Sequence, residues 1–271
     1  MPLAVCATPI GNLDDVTLRV LNELRQADLV LCEDTRRTRG LLERHKISGA
    51  RLISYHEHNE AKRTGEILPR LAAGERVALV SDAGLPAVSD PGARLVRAAL
   101  DAGVPVTVLP GPSAVETALV ASGLVGERYR FLGYLPRGER RLASVWGELE
   151  GWAEPTVAFE SPQRLPATLA SLAAVLPDRP VAVCRELTKR FEEVIRGPAG
   201  EVAERIREPV KGEVTLVVGG APAGVVGAEV EPAAVRAVGE LVEAGLARRR
   251  AAEIVARLTG LPRKRLYDGS L

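Results

Sequence analysis

Two Ser-Asp pairs stand in the stretch "SDAGLPAVSDPG", which directly follows the apolar run Val77–Val80. A carboxylate at the carboxyl end of a buried parallel strand lies where open α/β sheets bind their ligands. Asp82 has this position, and the residues after it lack the pattern of a helix start. Asp90 precedes Pro91, an order typical of a helix N-cap and first helical residue. We therefore predict that Asp82 faces a ligand and that Asp90 caps a helix.

Chemically useful residues also follow the first two predicted strands. Gly11 in "ATPIGNLDD" would let a ligand approach the backbone closely, and Asp14 or Asp15 would cap the next helix. In "CEDTRRTRGLL", Glu33 and Asp34 precede a run of arginines, and Asp34 can cap the helix that follows. The arginines either bind phosphates or form a solvated face, and the local sequence leaves both open.

Two further loops in the first half have functional and structural interpretations. His56 and His58 in "SYHEHNE" have a His-x-His spacing, but no third soft ligand is evident and the His-Glu-x-x-His pattern is absent. This favours a polar loop facing a substrate over a metal site. Ser113 and Glu116 in "LPGPSAVETAL" fit a capping box, and the helix N-terminus there could hold an anion such as a carboxylate.

The second half repeats the pattern of polar residues after strands. "FESPQRL" predicts Ser161 as a cap and Pro162 as the first helical residue. Glu186 and Lys189 follow the next predicted strand, in the stretch "CRELTKRFEEVIRG". Charged residues at the ends of strands in both halves indicate a cleft between two domains.

The order of the elements predicts the fold class. The chain has 271 residues, 46% hydrophobic and 26% charged, which suits a globular protein with two domains. Apolar runs alternate with amphipathic stretches up to residue 109, which predicts an open, mainly parallel sheet. We expect an α/β protein with one such domain over residues 1–114, a second α/β domain with a mixed sheet over 115–222, and a basic helical extension over 229–271. A linker rich in Pro, Gly and Ala precedes the extension.

Several protein classes are disfavoured. No apolar run has the length of a membrane span, and no basic segment precedes the apolar N-terminus, so we expect neither a membrane protein nor a signal peptide. Three widely spaced cysteines argue against a disulfide framework and for small buried side chains. The G-x-G-x-x-G and Walker A patterns are absent, which disfavours a nicotinamide oxidoreductase. A cytoplasmic location is expected.

The C-terminal segment, from residue 246 onward, is locally basic although the net charge of the whole chain is only +1. Glu253 and Asp268 are its only acidic residues after residue 245. The segment either contacts RNA phosphates or packs as a small helical bundle with solvated arginines, and both can hold. Its basic residues are Arg248, Arg249, Arg250, Arg257, Arg263, Lys264 and Arg265.

Seven stretches occur together in one order: "TPIGNLDD", "CEDTRRT", "YHEHNE", "SDAGLPAVSDPG", "PGPSA", "FESPQR" and "CRELTK". In order and spacing they resemble the ribosomal small-subunit RNA 2′-O-methyltransferases of the tetrapyrrole-methylase-like class. The resemblance covers about residues 3–220, and the basic segment resembles that family's C-terminal helical extension. Each motif is weak by itself, whereas the ordered set is specific.

The resemblance implies two α/β domains of the tetrapyrrole-methylase type with an S-adenosylmethionine cleft between them, and a homodimer without a metal. It implies methylation of a cytidine ribose in the decoding region of 16S rRNA in the small ribosomal subunit. The donor contacts that it implies are Ile10, Gly11, Asn12, Asp82, Ala83, Gly84, Leu85, Ser113, Ala114, Phe159, Glu186 and Leu187. The RNA contacts that we expect are Arg36, Arg37, His56, His58, Arg248, Arg249, Arg250, Arg263, Lys264 and Arg265, with the region from Arg128 to Arg141.

The implied reaction is in-line attack of a ribose 2′-hydroxyl on a sulfonium methyl group. Positioning supplies part of the rate, and a base should assist because a hydroxyl is a poor nucleophile. The candidate bases are Glu33, Asp34, Glu57, Glu186 and, if its pKa is depressed, Lys189. We favour Glu186 and Lys189 as the catalytic pair. Two other functions stay open, a tetrapyrrole methyltransferase and a non-catalytic RNA-binding protein of the same fold, and "YHEHNE", "CEDTRR" and the basic segment speak against the first.

Overall fold

A computed structural model describes residues 2–222, 230–259 and 261–271. The N-terminal part is a five-stranded parallel sheet in the order β3-β2-β4-β1-β5. Helices cover both of its faces, so β1, β2 and β4 are buried along their whole length, as expected of parallel strands. Its elements are β1 (Leu3–Cys6), a short 3₁₀ helix (Leu13–Asp15), α1 (Leu18–Gln26), β2 (Leu29–Cys32), α2 (Thr35–Arg44), β3 (Arg51–Ser54), α3 (Glu60–Ala72), β4 (Val77–Val80), α4 (Ala93–Asp101) and β5 (Val106–Leu109).

The second sheet is mixed, as the sequence predicts. Its order is β6-β7-β10-β8-β9, with β6 and β7 parallel and the other neighbours antiparallel. Its elements are α5 (Ala114–Ser122), β6 (Arg130–Tyr134), α6 (Glu139–Glu150), β7 (Thr156–Glu160), α7 (Leu165–Val175), β8 (Pro180–Arg185), β9 (Glu193–Pro198), α8 (Ala199–Arg205) and β10 (Val214–Val218).

Helix α5 is the element that connects the two sheets. Its buried Val115 and Leu119 share a hydrophobic cluster with Ile10 of the first half and with Val157 and Val217 of the second sheet. The helix therefore already packs against the second sheet at its first turn. A domain boundary at residue 114 stays a prediction, and this packing supports it.

Three helices form the C-terminal extension: α9 (Val230–Glu243), α10 (Arg248–Thr259) and α11 (Arg263–Gly269). They share a core that includes Val238, Ala251, Val255 and Leu266. The predicted packing of this segment as a helical bundle is confirmed, although Leu258 is 78% exposed and is not part of the core. The predicted linker lies mostly in residues 223–229, outside the described residues.

Several predicted helix starts are wrong. Asp90 does not cap α4, because the chain makes one more turn and the helix begins after Gly92, whose φ is +136°. Thr17, and neither Asp14 nor Asp15, caps α1 by accepting from the backbone N–H of Val20. Asp14 forms an ion pair with Arg44 at 2.7 Å instead.

One more correction falls in the second half. Ser161 and Pro162 belong to a turn, and α7 begins three residues after Pro162, at Leu165. The charged stretch around residue 139, part of the region that we expected to contact RNA, is the first turn of α6. This helix buries Leu142, Trp146 and Leu149, a spacing of four and three residues that places them on one face.

Two remaining expectations concern burial and membranes. Cys6, Cys32 and Cys184 are unpaired and buried, as predicted. None of the helices in the described parts of the chain is long and apolar enough to cross a bilayer.

Candidate functional site

A cavity of about 830 Å³ lies between the two sheets. The carboxyl ends of β2, β4 and β5 and the loop after β1 form one side, and residues of β6, β7 and β10 with the loop after β8 form the other. Nine of the residues that we expected to contact the donor line it, which places residues from five separate segments around one space. They are Ile10, Asp82, Ala83, Gly84, Leu85, Ser113, Ala114, Phe159 and Leu187.

Gly11 and Asn12 are not part of this lining, and the physical reason for Gly11 differs from the predicted one. A Cβ at Gly11 would lie 2.5 Å from Lys189 Cγ, 2.7 Å from Thr188 Oγ1 and 2.9 Å from the Leu187 carbonyl oxygen. The backbone N–H of Asn12 donates to Thr188 Oγ1 at 3.0 Å. Gly11 therefore allows the protein's own loop after β8 to approach, where we had expected a ligand.

Asp82 ties the ends of β4 and β2 together. Its Oδ1 accepts from the backbone N–H of Asp34 at 3.0 Å, and its Oδ2 lies 3.6 Å from Arg37 Nε. Asp34 caps α2 as predicted, by accepting from the backbone N–H of Arg36 at 2.8 Å. Hydrogen bonds from Arg36 lower the pKa of Asp34 to about 2, so Asp34 is a poor proton acceptor. Of the two arginines, Arg37 lines the cavity and Arg36 is 86% exposed.

Three carboxylates, those of Glu33, Asp82 and Asp90, line the cavity wall beside each other. Burial raises the pKa of Asp90 to about 6, and the negative charge of Glu33 adds to this. Burial and the charge of Asp82 raise the pKa of Glu33. A carboxylate with a pKa near neutrality combines an ionised state at physiological pH with useful basicity.

The loop that holds Asp90 has unusual backbone geometry. Ala87 and Ser89 have φ values of +70° and +59°, a region that non-glycine residues adopt at a cost. Gly92 at φ +136° is required, because a Cβ there would lie 2.8 Å from Leu79 Cδ2. Such strain is concentrated at functional sites, where the surrounding structure holds it. The loop places Asp90 on the cavity wall, and this is why Asp90 does not cap α4.

Glu186 and Lys189 form a charged group beside the cavity, outside its lining. Glu186 Oε1 accepts from Lys189 Nζ at 2.8 Å and from the backbone N–H of Glu213 at 3.0 Å, and Lys189 Nζ lies 3.1 Å from Glu213 Oε2. Lys189 lines a smaller adjoining pocket of about 290 Å³ that shares Asp82 with the main cavity. Hydrogen bonds from these partners hold the pKa of Glu186 below its usual value.

The pKa of Lys189 differs from our expectation. Burial acts to lower it, but the hydrogen bonds to Glu186 and Glu213 outweigh burial and raise the pKa above its usual value. We required a depressed pKa for Lys189 to act as a base, and this requirement is not met. The catalytic assignment of Glu186 and Lys189 stays a prediction, and their mutual pairing favours a role in holding the loop after β8.

Ser113 occupies the N-cap position of α5 as predicted, but its hydroxyl does not bond to the helix backbone. Instead, it donates to the carboxylate of Glu116, which also accepts from Tyr129 Oη at 2.5 Å. The first N–H groups of α5 are thus left without a side-chain cap at the cavity wall. A helix N-terminus of this kind suits a carboxylate.

The remaining predicted residues lie away from the cavity lining. His56 Nε2 is 3.0 Å from Asn59 Nδ2, and the His56 and His58 rings are 5.9 Å apart. No group of three or more His, Cys, Asp or Glu suited to a metal ion occurs in the described ranges. The predicted base Glu57 is exposed on the same loop. The basic residues of the C-terminal segment are exposed except Arg248, which is half-buried.

Sequence reasoning missed several residues of the cavity wall, among them Val88, Ser89, Tyr129, Phe131 and Tyr134. The aromatic character of Tyr129, Phe131 and Tyr134 was one available signal, since aromatic residues make up only 3% of the chain. Tyr134 ends β6, at the same kind of strand end as Asp82, and this position was a second available signal.

Comparison with known proteins identifies the family and the fold of this chain. The family described as Tetrapyrrole (Corrin/Porphyrin) Methylases matches residues 2–203. A solved structure, uroporphyrin-III C-methyl transferase from Thermus thermophilus complexed with S-adenyl homocysteine, has a TM-score of 0.55 at 20% identity and covers 83% of this chain and 98% of that chain. At this identity the likeness shows the fold alone. The two sheets with the cavity between them are thus the tetrapyrrole-methylase fold, and methyltransferases of this family use S-adenosylmethionine.

Two similar proteins identify the branch of this family to which the chain belongs. Both are named ribosomal RNA small subunit methyltransferase I. The relative from Micromonospora olivasterospora is 44% identical over 268 residues, covering 98% of this chain and 85% of the relative. The relative from Halalkalibacterium halodurans is 40% identical over 275 residues, covering 98% and 93%. The chain belongs to the tetrapyrrole methylase family, in the branch of the small-subunit ribosomal RNA methyltransferases I.

Proposed function

We propose that this methyltransferase transfers a methyl group from S-adenosylmethionine to the 2′-hydroxyl of a cytidine ribose in 16S rRNA, in the decoding region of the small ribosomal subunit. The observation that carries the proposal is that nine residues, assigned to the donor site from sequence motifs alone, line one inter-domain cavity. The relatives' names direct it to ribosomal RNA. The enzyme acts in the cytoplasm, and we propose that it works as a homodimer.

The residues of the cavity fit the donor. The uncapped N–H groups of α5 suit its carboxylate, and the carboxylates of Asp82 and Glu33 suit its positive charge. Backbone from residue 82 to residue 85 provides polar groups at the cavity wall, and Ile10 and Leu187 provide apolar contact. When bound, the donor supplies a methyl group on a sulfonium. The protein binds and orients the two reactants and excludes water.

The proton of the attacking hydroxyl needs an acceptor at the cavity wall. Asp90 fits best, because it lines the cavity and its pKa is about 6. Glu33, one of the bases predicted from sequence, lies beside it with a raised pKa. Asp90 would take the hydroxyl proton as the bond from the ribose oxygen to the methyl carbon forms and the bond from that carbon to sulfur breaks, and the donor would be released as a neutral thioether.

A radiolabel transfer assay tests the function. Purified protein and S-adenosylmethionine labelled in the methyl group are incubated with small ribosomal subunits from cells that lack the enzyme, and the labelled nucleotide is mapped by mass spectrometry. Label on a cytidine ribose is the expected result. Donor binding without label on the subunit would contradict the proposal and favour a tetrapyrrole methyltransferase. Neither label nor donor binding would favour a non-catalytic RNA-binding protein.

The C-terminal segment is expected to contribute RNA affinity. Truncation at about residue 228 removes eight basic residues, the seven named above and Arg236 of α9. For every phosphate that the protein no longer neutralises, the slope of log affinity against log salt should decrease by about 0.7–0.9. We therefore expect the truncated protein to bind the subunit more weakly and with a smaller salt dependence, while donor affinity is unchanged, because the segment has its own core. Filter binding between 50 and 200 mM salt, on the order of the range where such contacts are most sensitive, measures both.

A full-length variant separates charge from fold in this test. Arg249→Gln, Arg263→Gln and Lys264→Gln together remove three exposed charges of the segment. A control variant, Arg94→Gln with Arg97→Gln, removes two exposed charges from α4. Loss of affinity in the first variant and not in the control supports phosphate contact, and unchanged RNA binding after truncation would contradict it.

A further inference from the structure

Aromatic residues are concentrated at the cavity. The chain has nine of them, two Trp, four Tyr and three Phe. Four of the nine, Tyr129, Phe131, Tyr134 and Phe159, line this one space. Tyr129 is engaged by Glu116, and Phe131 and Phe159 are partly buried in the cluster between the two halves. Tyr134 differs from them, because it is 65% exposed.

The structure holds the ring of Tyr134 in place despite its exposure. The ring contacts Phe159 edge-to-face at 5.5 Å, and Phe159 contacts Phe131 in the same way at 5.1 Å. The pairing of β6 with β7 is irregular between Phe131 and Tyr134, and Gly133 inside this irregularity has φ +66°. Such bulges re-aim side chains next to active sites. The ring is therefore a supported, accessible apolar surface at the cavity.

Tyr134 itself is not among the residues assigned to the donor, although its ring contacts Phe159, which is. A Cβ at Gly133 would lie 3.5 Å from Ser89 Oγ, so the end of β6 adjoins the loop that carries Val88 and Asp90. The charges of Asp90 and Glu33 also act on the Tyr134 hydroxyl. The cavity, at about 830 Å³, is near the upper end of the range of about 300–1,000 Å³ that holds one ligand. There is room for part of a second reactant beside the donor.

We infer that Tyr134 is the stacking platform for the target nucleobase, and that the nucleotide leaves its RNA stack to enter the cavity with its ribose hydroxyl towards Asp90. The inference rests on the proposed function. An RNA helix is too wide to bring a ribose into a space between two domains, so an extruded or single-stranded nucleotide is required. Unstacking costs a few kcal/mol, and stacking on an aromatic side chain offsets it. A wall of Phe131, Tyr134 and Phe159 next to the proton acceptor provides that stacking.

Three variants test the platform. In Tyr134→Ala, kcat/KM for the small ribosomal subunit is expected to fall about 5- to 100-fold, the range for losing one base–aromatic stack. Tyr134→Phe keeps the ring and should stay within about threefold of the wild type on the same reasoning. Phe191→Ala is the matched control, because Phe191 is 66% exposed but does not line the cavity, and it should not change kcat/KM. Donor affinity, measured by calorimetry, should be equal in all four proteins.

A direct readout complements the kinetics. A fluorescent base analogue at the target position reports whether the base leaves the RNA stack. Its emission is expected to change on binding to the wild type and to Tyr134→Phe, and to change less with Tyr134→Ala. Wild-type kcat/KM in Tyr134→Ala would overturn the inference. Equal losses in Tyr134→Phe and Tyr134→Ala would also overturn it, by assigning the effect to the hydroxyl, as would a loss of donor affinity in Tyr134→Ala. Failure of the wild type itself to label the subunit would instead contradict the proposed function.

Discussion

Replacing Asp90 by asparagine is expected to lower kcat for methyl transfer by about 10²–10⁴-fold, the range for loss of a positioned general base. The amide has nearly the same shape as the carboxylate but cannot accept the proton. Asp90 is not among the residues assigned to the donor, so donor affinity should remain. Single-turnover transfer to the small ribosomal subunit, with donor affinity measured separately, distinguishes the two effects.

The raised pKa of Asp90 predicts in which direction the rate of methyl transfer changes with pH. A base with a pKa of about 6 is protonated and inactive below that pH, so the wild-type rate should rise through pH 6 and level off above pH 7. Besides burial, the charges of Glu33 and Asp82 act to raise the pKa of Asp90, and a hydrogen bond with Ser81 acts to lower it. In Asp90→Asn this rise should be lost. A flat wild-type profile between pH 5 and 8, roughly the range where this group titrates, would contradict the assignment.

The same raised pKa affects stability. The folded state binds the Asp90 proton more tightly than the unfolded chain, whose carboxyl pKa is 3.8, so stability falls as pH rises from about 4 to about 6. At pH 8, about two units above this window, Asp90→Asn removes a partly buried charge and should raise Tm while it lowers turnover. Higher stability with lower activity would identify a residue that is kept for function.

Comparison variants separate Asp90 from the other candidate bases. Glu33→Gln should show a smaller loss than Asp90→Asn, because burial and neighbouring charge raise the pKa of both groups but that of Asp90 reaches about 6. Glu186→Gln and Lys189→Ala test the pair predicted from sequence. If either of these loses turnover with donor affinity intact, while Asp90→Asn keeps wild-type turnover, the base belongs to the loop after β8.

Substituting alanine at Gly11 is expected to weaken donor binding by about 5- to 150-fold and to lower Tm. The new Cβ would lie 2.9 Å from the Leu187 carbonyl oxygen and 2.5 Å from Lys189 Cγ, so the loop after β8 must move. Overpacking of this kind costs about 1–3 kcal/mol, which is about 5- to 150-fold if it falls on one binding step. Leu187 lines the cavity, so its displacement reaches the donor site. Calorimetry with S-adenosylmethionine and thermal denaturation measure the two effects.

The control for Gly11 is a glycine with open space around it. Gly65 lies in α3, and a Cβ there meets nothing within 4 Å. Gly65→Ala should therefore raise Tm, because alanine is favoured over glycine in a helix by about 1 kcal/mol, and should leave donor affinity unchanged. Wild-type donor affinity and wild-type Tm in Gly11→Ala would show that the contact between Gly11 and the loop after β8 has no energetic weight.

Much of the fold was predictable from local patterns. The apolar runs of β1, β2 and β4 and the polar residues after them predicted a parallel sheet with a ligand site at its carboxyl edge. The structure has the parallel sheet and a cavity at that edge. Helix starts were less predictable. Asp90-Pro91 has the composition of a cap, but the positive φ values at Ala87 and Ser89 turn the chain in a way that no local pattern records. Tertiary contacts overrode the propensity there.

The sequence by itself determined the order of the strands along the chain, the polar loops that follow them and the family motifs. Hydrophobic periodicity, turn residues and motifs are properties of short segments, so they can be recognised without the fold. Only the tertiary structure decided what each side chain meets. Gly11 meets Thr188 and Lys189, far away along the chain, and Asp90 meets Glu33 from another strand end. Burial and neighbouring charge set a pKa, and both arise between segments that are distant in sequence. Most of the residues that line the cavity on the proposed donor side were therefore readable from motifs, whereas the proposed proton acceptor and the proposed stacking surface required the fold.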